Sequence, residues 1–265
     1  MEIIVILIMS IITIIALTIL SKFNLKKIKL IKEIGEDKKL NELTNTLPEN
    51  EQIAKEILAK LKNENVKIKT GGASSQASLY IVATNTIFIA NIKNTFTRIQ
   101  TIAHECIHSI QDKTLLWFNF IFSNIYILYW IIITILTLFN KIANPNIHAI
   151  ILVMMSITLF FVRSYIETDA MTKARFLAKE YMESKKEVIT KENIETIIEN
   201  YDKINNIGIK FTNLSLIVEY LVKVIIYCVI ALIWRNLKRK QGIGDVLVFL
   251  LGKHKKCFLF PIHRK

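Results

Sequence analysis

"QTIAHECIHSIQD", residues 100–112, decides how the chain is read. Positions i and i+4 of a helix lie one above the other, so His104 and His108 present two imidazoles on one face, with Glu105 beside the first. Two imidazoles so placed can share one cation. A third protein ligand would leave a coordination position open to water, which is the pattern of a catalytic zinc ion. Glu105 then stands where a general base is needed, to take a proton from water and pass it to a leaving nitrogen. With five histidines and seventeen glutamates in 265 residues, an HExxH arises by chance roughly 0.006 times. Around the motif, Phe96, Ile99, Ala103, Cys106 or Ile107, and Ile110 fall at helical spacing and predict an amphipathic helix, with Arg98, Glu105 and Asp112 on its other sides.

The rest of the chain sets this helix against lipid. It is 52% hydrophobic and carries a formal charge of +13, a combination that points to a membrane. Nucleic acid is excluded as a partner, because the lysines flank apolar runs and no helix-turn-helix, zinc-finger or RNA-binding signature is present. Residues 1–21 contain an uncharged run long enough to span the hydrocarbon core as an N-terminal anchor. Glu2 at its start and the bulky residues after it argue against a cleaved signal. Lys22, Lys26, Lys27, Lys29 and Lys32 follow, which by the positive-inside rule puts the next segment in the cytoplasm. Residues 114–162 hold two more uncharged stretches joined by "NKIANPN", a transmembrane helical hairpin that returns the chain at Arg163 to the side it left. Residues 214–234 read as a fourth membrane segment bearing Glu219 and Lys223 at i, i+4. Either it crosses, placing the basic tail 235–265 outside against the positive-inside trend, or it lies in the interface.

Between these segments, residues 22–113 and 163–213 read as two cytoplasmic regions. Thr46 to Glu49 has capping-box spacing and opens the helix "NEQIAKEILAKLK". Gly71, Gly72 and the serines after them mark a loop. "SLYIVATNTIFIANI" predicts a β-hairpin turning at Thr84-Asn85-Thr86, placed directly before the motif helix. A polar, helical stretch follows at 183–207. The fold class expected is therefore a mainly α membrane protein, its transmembrane helices joined to a small α+β catalytic domain of zincin type.

The hairpin supplies the third ligand, since it returns "YIETDA" to the face of the motif helix. Glu167 is the expected ligand, on a helix face with Ala170, Met171, Ala174 and Ala178 that permits close packing. Asp169, two residues on, turns away from Glu167 and is expected instead to orient a ligand histidine. His148 sits in the lipid segment, reaching toward the interface. His254 and His263 belong to the tail. Tyr165 and Tyr181 are candidate oxyanion donors on position alone and are not counted among the site residues. Cys106, Cys228 and Cys257 are too dispersed for a disulfide framework or a cysteine zinc site, and read as small apolar fillers.

The order of anchor, "EQIAKEILAKL", "LYIVATNTIFIAN", "TIAHECIHSIQDK", apolar hairpin and "ETDAMTKA" resembles the YugP-like neutral zinc metallopeptidases, membrane proteins related to gluzincins. The resemblance covers most of residues 1–180. It implies that His104, His108 and Glu167 hold one Zn2+, that Glu105 is the catalytic base, and that the reaction is peptide-bond hydrolysis. The family usually has glycine before the second histidine, where this chain has Ile107. The resulting expectation is a multi-pass metalloendopeptidase of the plasma membrane, its site facing the cytoplasm, acting on membrane-associated proteins or peptides. The alternative is a non-catalytic scaffold or partner-binding subunit stabilised by zinc. The sequence sets no oligomeric state.

Overall fold

In lipid a backbone finds no water to bond, so an uncharged run must satisfy its own amides as a helix. The computed structural model describes residues 2–22, 24–71 and 77–254, with side chains as far as 236, and follows that rule. Helix α1 (Glu2–Leu20) is nearly all apolar, and most of its side chains face outward. Helix α6 (Lys113–Leu138) follows the soluble segment, and α7 (Pro145–Glu183) begins after the short turn, its first residue a proline and its N-cap Asn144. The last element, α8, is one helix over Lys191–His254. Four helices, α1, α6, α7 and the Lys191–Asn236 part of α8, are long and apolar enough to cross a membrane.

The polar stretch at 183–207 and the segment at 214–234 are not separate helices. No proline interrupts them, and Gly208, which a bundle tolerates at a close crossing, sits where a Cβ would stand 3.2 Å from Met171 Cε. Met171 therefore faces α8 rather than the motif helix. Trp234 and Arg235 border the same cavity as Ile3, Asn144 and Asn146, so the described part of α8 runs the full length of the bundle to the end away from the motif. Glu219 and Lys223 pair at 2.7 Å. Cross-helix polar links tie the bundle: the Tyr126 and Ser156 hydroxyls meet at 3.0 Å, and Trp130 donates to the Lys223 carbonyl at 2.9 Å.

Four short elements precede the sheet region or frame it: α2 (Leu25–Gly35), α3 (Lys38–Glu42), α4 (Asn50–Lys60) and the motif helix α5 (Arg98–Ile110). The capping box expected at Thr46 does not form. Helix α4 starts after Glu49, whose side chain makes no cap bond and pairs instead with Lys93. The hairpin is present as β2 (Leu79–Ile81) and β3 (Thr86–Ile89), antiparallel, with Tyr80 opposite Ile87. Asn85 makes the turn in the left-handed region at φ 47°, which asparagine tolerates, and its carboxamide accepts from the Tyr80 hydroxyl at 2.9 Å. A third strand, β1 (Lys67–Thr70), pairs parallel to β3 and was not expected from sequence. The sheet order β1-β3-β2 leaves β2 as an edge strand. The Gly72-to-serine part of the loop before β2 lies outside the described residues.

Two buried clusters divide the molecule. One lies among the spans, around Tyr126, Leu152, Leu159, Tyr220 and Tyr227. The other packs α4, the sheet and α5 against the distal half of α7, through Ile53, Ile87, Ile102 and the row Ile166, Ala170, Ala174 and Ala178. Helix α7 belongs to both. Its 39 residues carry the chain without a break from the apolar bundle to the layer that holds the motif.

Candidate metal centre

Helix α5 carries its polar residues inward. Ile99, Ile102, Ala103 and Cys106 are fully buried against α4 and α7, as periodicity predicts, but Arg98 is also fully buried and Glu105 nearly so. Arg98 differs from expectation because its guanidinium collects the carbonyls of a crossing loop: it donates to Leu47 O at 2.9 Å, to Pro48 O at 2.6 Å and to Lys93 O at 3.4 Å. These bonds pin the start of α5. Its other end stops at Ile110, and Asp112 is not on α5 at all but caps α6, accepting from Leu115 N at 2.9 Å.

Between those ends the two histidines project together, their Nε2 atoms 3.0 Å apart and their ring planes nearly perpendicular at 86°. The rod of α7 brings Glu167 to them. Its Oε2 lies 3.5 Å from His104 Nε2 and 3.7 Å from His108 Nε2. The three atoms form one triangle, and these residues can hold a metal ion. A point about 2.0 Å from all three sits at the centre of a triangle with those sides, the reach at which a first-row divalent ion takes imidazole nitrogen and carboxylate oxygen. The side chains are 11–26% exposed, so the site is shielded yet open on one side.

Orientation comes from a second layer of residues. His108 Nδ1 lies 2.8 Å from Gln111 Oε1, an acceptor that places the ring proton on Nδ1 and leaves the Nε2 lone pair directed at Glu167. The Gln111 amide donates in turn to Asp169 Oδ2 and to the Ile166 carbonyl, each at 2.9 Å. Asp169 is thus one step further out than expected, acting on His108 through Gln111, and Lys173 neutralises it at 2.7 Å. Sequence reading missed Gln111. A neutral amide after a histidine has no signature, although its position three residues on, at the helix end, is where it can reach back.

Glu105 points toward the same open side. Its Oε2 accepts from the backbone amide of Tyr80 on β2 at 2.6 Å. Burial pushes the Glu105 carboxyl above the ordinary carboxylate range, against the opposing pull of His104, His108 and that amide. Glu167 behaves oppositely. It lies beyond the apolar stretch of α7, and although burial penalises its charge, the two neighbouring imidazoles hold its carboxyl below the ordinary range. Burial would depress the His108 imidazole, but Glu167 raises it. The two carboxyls are thus shifted in opposite directions, Glu105 up and Glu167 down.

These residues floor a cleft of about 460 Å³ whose walls are the edge strand β2, Asn119 and Phe120 of α6, and Arg163 and Ile166 of α7. Neither tyrosine suggested as an oxyanion donor borders it. Tyr165 is exposed on the far side of α7, and the Tyr181 hydroxyl donates to Glu56 at 2.7 Å. His148 pairs with the Tyr129 hydroxyl at 2.8 Å within the bundle. Cys106 and Cys228 are buried fillers; Cys257, His263 and the His254 side chain lie outside what the structure describes. Comparisons with protein-family models, with curated proteins and with solved structures yield no match to the chain, so the arrangement of these side chains carries the functional argument by itself.

Proposed function

We propose that the protein is an integral membrane zinc metalloendopeptidase of the kind its motif order resembles, the YugP-like neutral zinc metallopeptidases. The observation that carries this reading is the His104, His108 and Glu167 triangle with the Glu105 carboxylate beside it. Two neutral imidazoles and one carboxylate are a donor set suited to zinc, and three ligands rather than four suit a catalytic ion. Bound there, zinc would acidify a water and polarise a peptide carbonyl.

The chain's own groups supply the rest. The raised Glu105 carboxyl accepts a proton from the attacking water and returns it to the leaving amine, a role that favours a group poised nearer neutrality than an ordinary glutamate. Tyr80 N–H holds that carboxylate in place. The outward amide of the short edge strand β2 is taken by Glu105, which leaves the Tyr80 carbonyl as its outward group for an extended peptide. Gln111 keeps the His108 ring aligned.

Substrate class follows from position. The cleft is walled by α6 near Phe120 and by Arg163, where the apolar half of α7 gives way to its polar half, a position at a lipid edge that favours peptide segments next to a bilayer. The lysine run after α1 supports a cytoplasmic orientation. A non-catalytic scaffold needs the metal but has no use for a buried carboxyl beside it.

The test is metal analysis and proteolysis of a labelled unfolded protein by wild type and variants purified in detergent. Wild type is expected to hold one zinc, Glu105→Gln to keep the zinc while losing 10²–10⁴-fold in rate, and His104→Ala and Glu167→Ala to lose the zinc. Activity in Glu105→Gln equal to wild type, or no stoichiometric zinc in wild type, defeats the proposal. Undiminished biological function in a zinc-loaded Glu105→Gln variant would favour the scaffold.

A further inference from the structure

A second groove, lined by none of the metal-centre residues, lies between α1, α7 and α8 at the end of the bundle where the first span meets its lysines. It encloses about 500 Å³, within the range of small-molecule sites, and its wall is built by Leu17 and Leu20 of α1, Phe160 of α7 and Leu214 of α8. Lys22 and Lys210 stand on its rim. We propose that this groove binds one anionic glycerophospholipid, with an acyl chain along the apolar wall and the phosphate between the two ammonium groups.

Three observations support this occupant. First, three of the four lysines that follow on the chain, all but Lys26, are already engaged, whereas the two on the rim make no ion pair among the described residues. Lys29 and Lys32 pair with Glu33 and Glu36, and Lys27 Nζ donates to the Lys22 carbonyl at 2.7 Å. No ion pair is made by Lys22 or Lys210 among the described residues. Second, depth matches. Lys22 is the first charge after the uncharged run 3–21 of a membrane-length helix, which puts its ammonium at the level of lipid phosphates and the wall below it at the level of acyl chains. A free phosphate would gain nothing from that wall. Third, the groove is built rather than incidental. Asn213, on its lining, is fixed to α7 through Ser164 and Thr168, and Lys22 closes α1 in the left-handed conformation at φ 49°, where glycine is usual.

The experiment uses the full chain in detergent micelles doped with phosphatidylglycerol or phosphatidylcholine of identical acyl chains, with retained lipid counted by native mass spectrometry. One phosphatidylglycerol is expected to be retained about thirty-fold more tightly than phosphatidylcholine, from two lysines near a membrane surface. Lys22→Gln with Lys210→Gln, both exposed positions, is expected to abolish the preference, while Lys62→Gln with Lys67→Gln, an equal loss of charge elsewhere, keeps it. Leu214→Trp, which fills the wall and leaves the charges, is expected to release the lipid. Equal retention of the two lipids by wild type, or an unchanged preference in the Lys22 and Lys210 variant, overturns the proposal. Displacement by millimolar glycerophosphate overturns the lipid as occupant, since it shows that the headgroup alone is recognised. None of these readouts depends on zinc or on peptidase activity.

Discussion

Replacing Gln111 by alanine removes the one acceptor that the structure gives His108 Nδ1, at 2.8 Å, without touching any metal ligand. With Nε2 engaged by metal, the ring proton must sit on Nδ1, and in a ring this buried an unpaired N–H is costly. In the metal-free protein the same ring is free to take the other tautomer, so the cost falls mainly on the metal-bound state. The expected penalty is about 1.4–2.7 kcal/mol, or 10–100-fold in metal affinity. Asp169→Ala provides the graded comparison. It removes one of the two acceptors that anchor the Gln111 amide and leaves Ile166 O at 2.9 Å, so its effect is expected to be a few-fold. Affinity is read by zinc competition against a chromophoric chelator on detergent-purified protein. Unchanged affinity in Gln111→Ala refutes the orienting role. Abolished binding in Asp169→Ala alongside retained binding in Glu167→Ala reverses the assignment of the third ligand.

Arg98→Met should lower the midpoint of thermal unfolding by the equivalent of roughly 2–4 kcal/mol, since it leaves buried carbonyls of Leu47 and Pro48 without donors; a loss under about 1 kcal/mol contradicts the pinning role. Glu56 is held below the ordinary carboxylate range: burial alone would raise it, but bonds from Gln52, Tyr181 and Lys185 outweigh that. A folded pKa below the unfolded one stabilises above the unfolded value and is lost as pH falls through the folded one. Glu56→Gln therefore costs about 0.5–1 kcal/mol near pH 7 after solvent screening and progressively less as pH falls below the ordinary carboxylate range, a convergence visible in unfolding midpoints. Gly208→Ala is expected to stay within about 1 kcal/mol of wild type, because helix propensity is gained and the Met171 tip can shift, whereas Gly208→Leu is expected to lose about 1–3 kcal/mol by forcing α7 from α8. Equal midpoints for the two variants would show that the crossing is not tight.

The i, i+4 histidines were legible because helical geometry alone places them together, and Glu167 because a short apolar hairpin must bring the chain back. Arg98 was not, since a cation is read as solvent-facing unless loop carbonyls from fifty residues away come to meet it, and no local pattern records that meeting. Strand β1 hides in the four-residue alternation "KIKT", too short to stand out from a loop, and is made a strand by pairing with β3. The unbroken α7 was obscured by Arg163. A charge marks where lipid gives way to water, but it changes only what surrounds the helix; ending one takes a residue that spoils its hydrogen bonding, and none stands between Pro145 and Glu183.

That uninterrupted rod has a mechanical consequence. Mid-span residues near 154 lie about 20 Å along the axis from Glu167, at 1.5 Å per residue. A pivot of about 3° there would swing the carboxylate by about 1 Å, half the length of a metal–oxygen bond. Thicker or thinner bilayers change the inclination of such helices. In a bilayer, a change of thickness that tilted α7 relative to α5 would therefore reshape the triangle of His104, His108 and Glu167 through a single stiff lever.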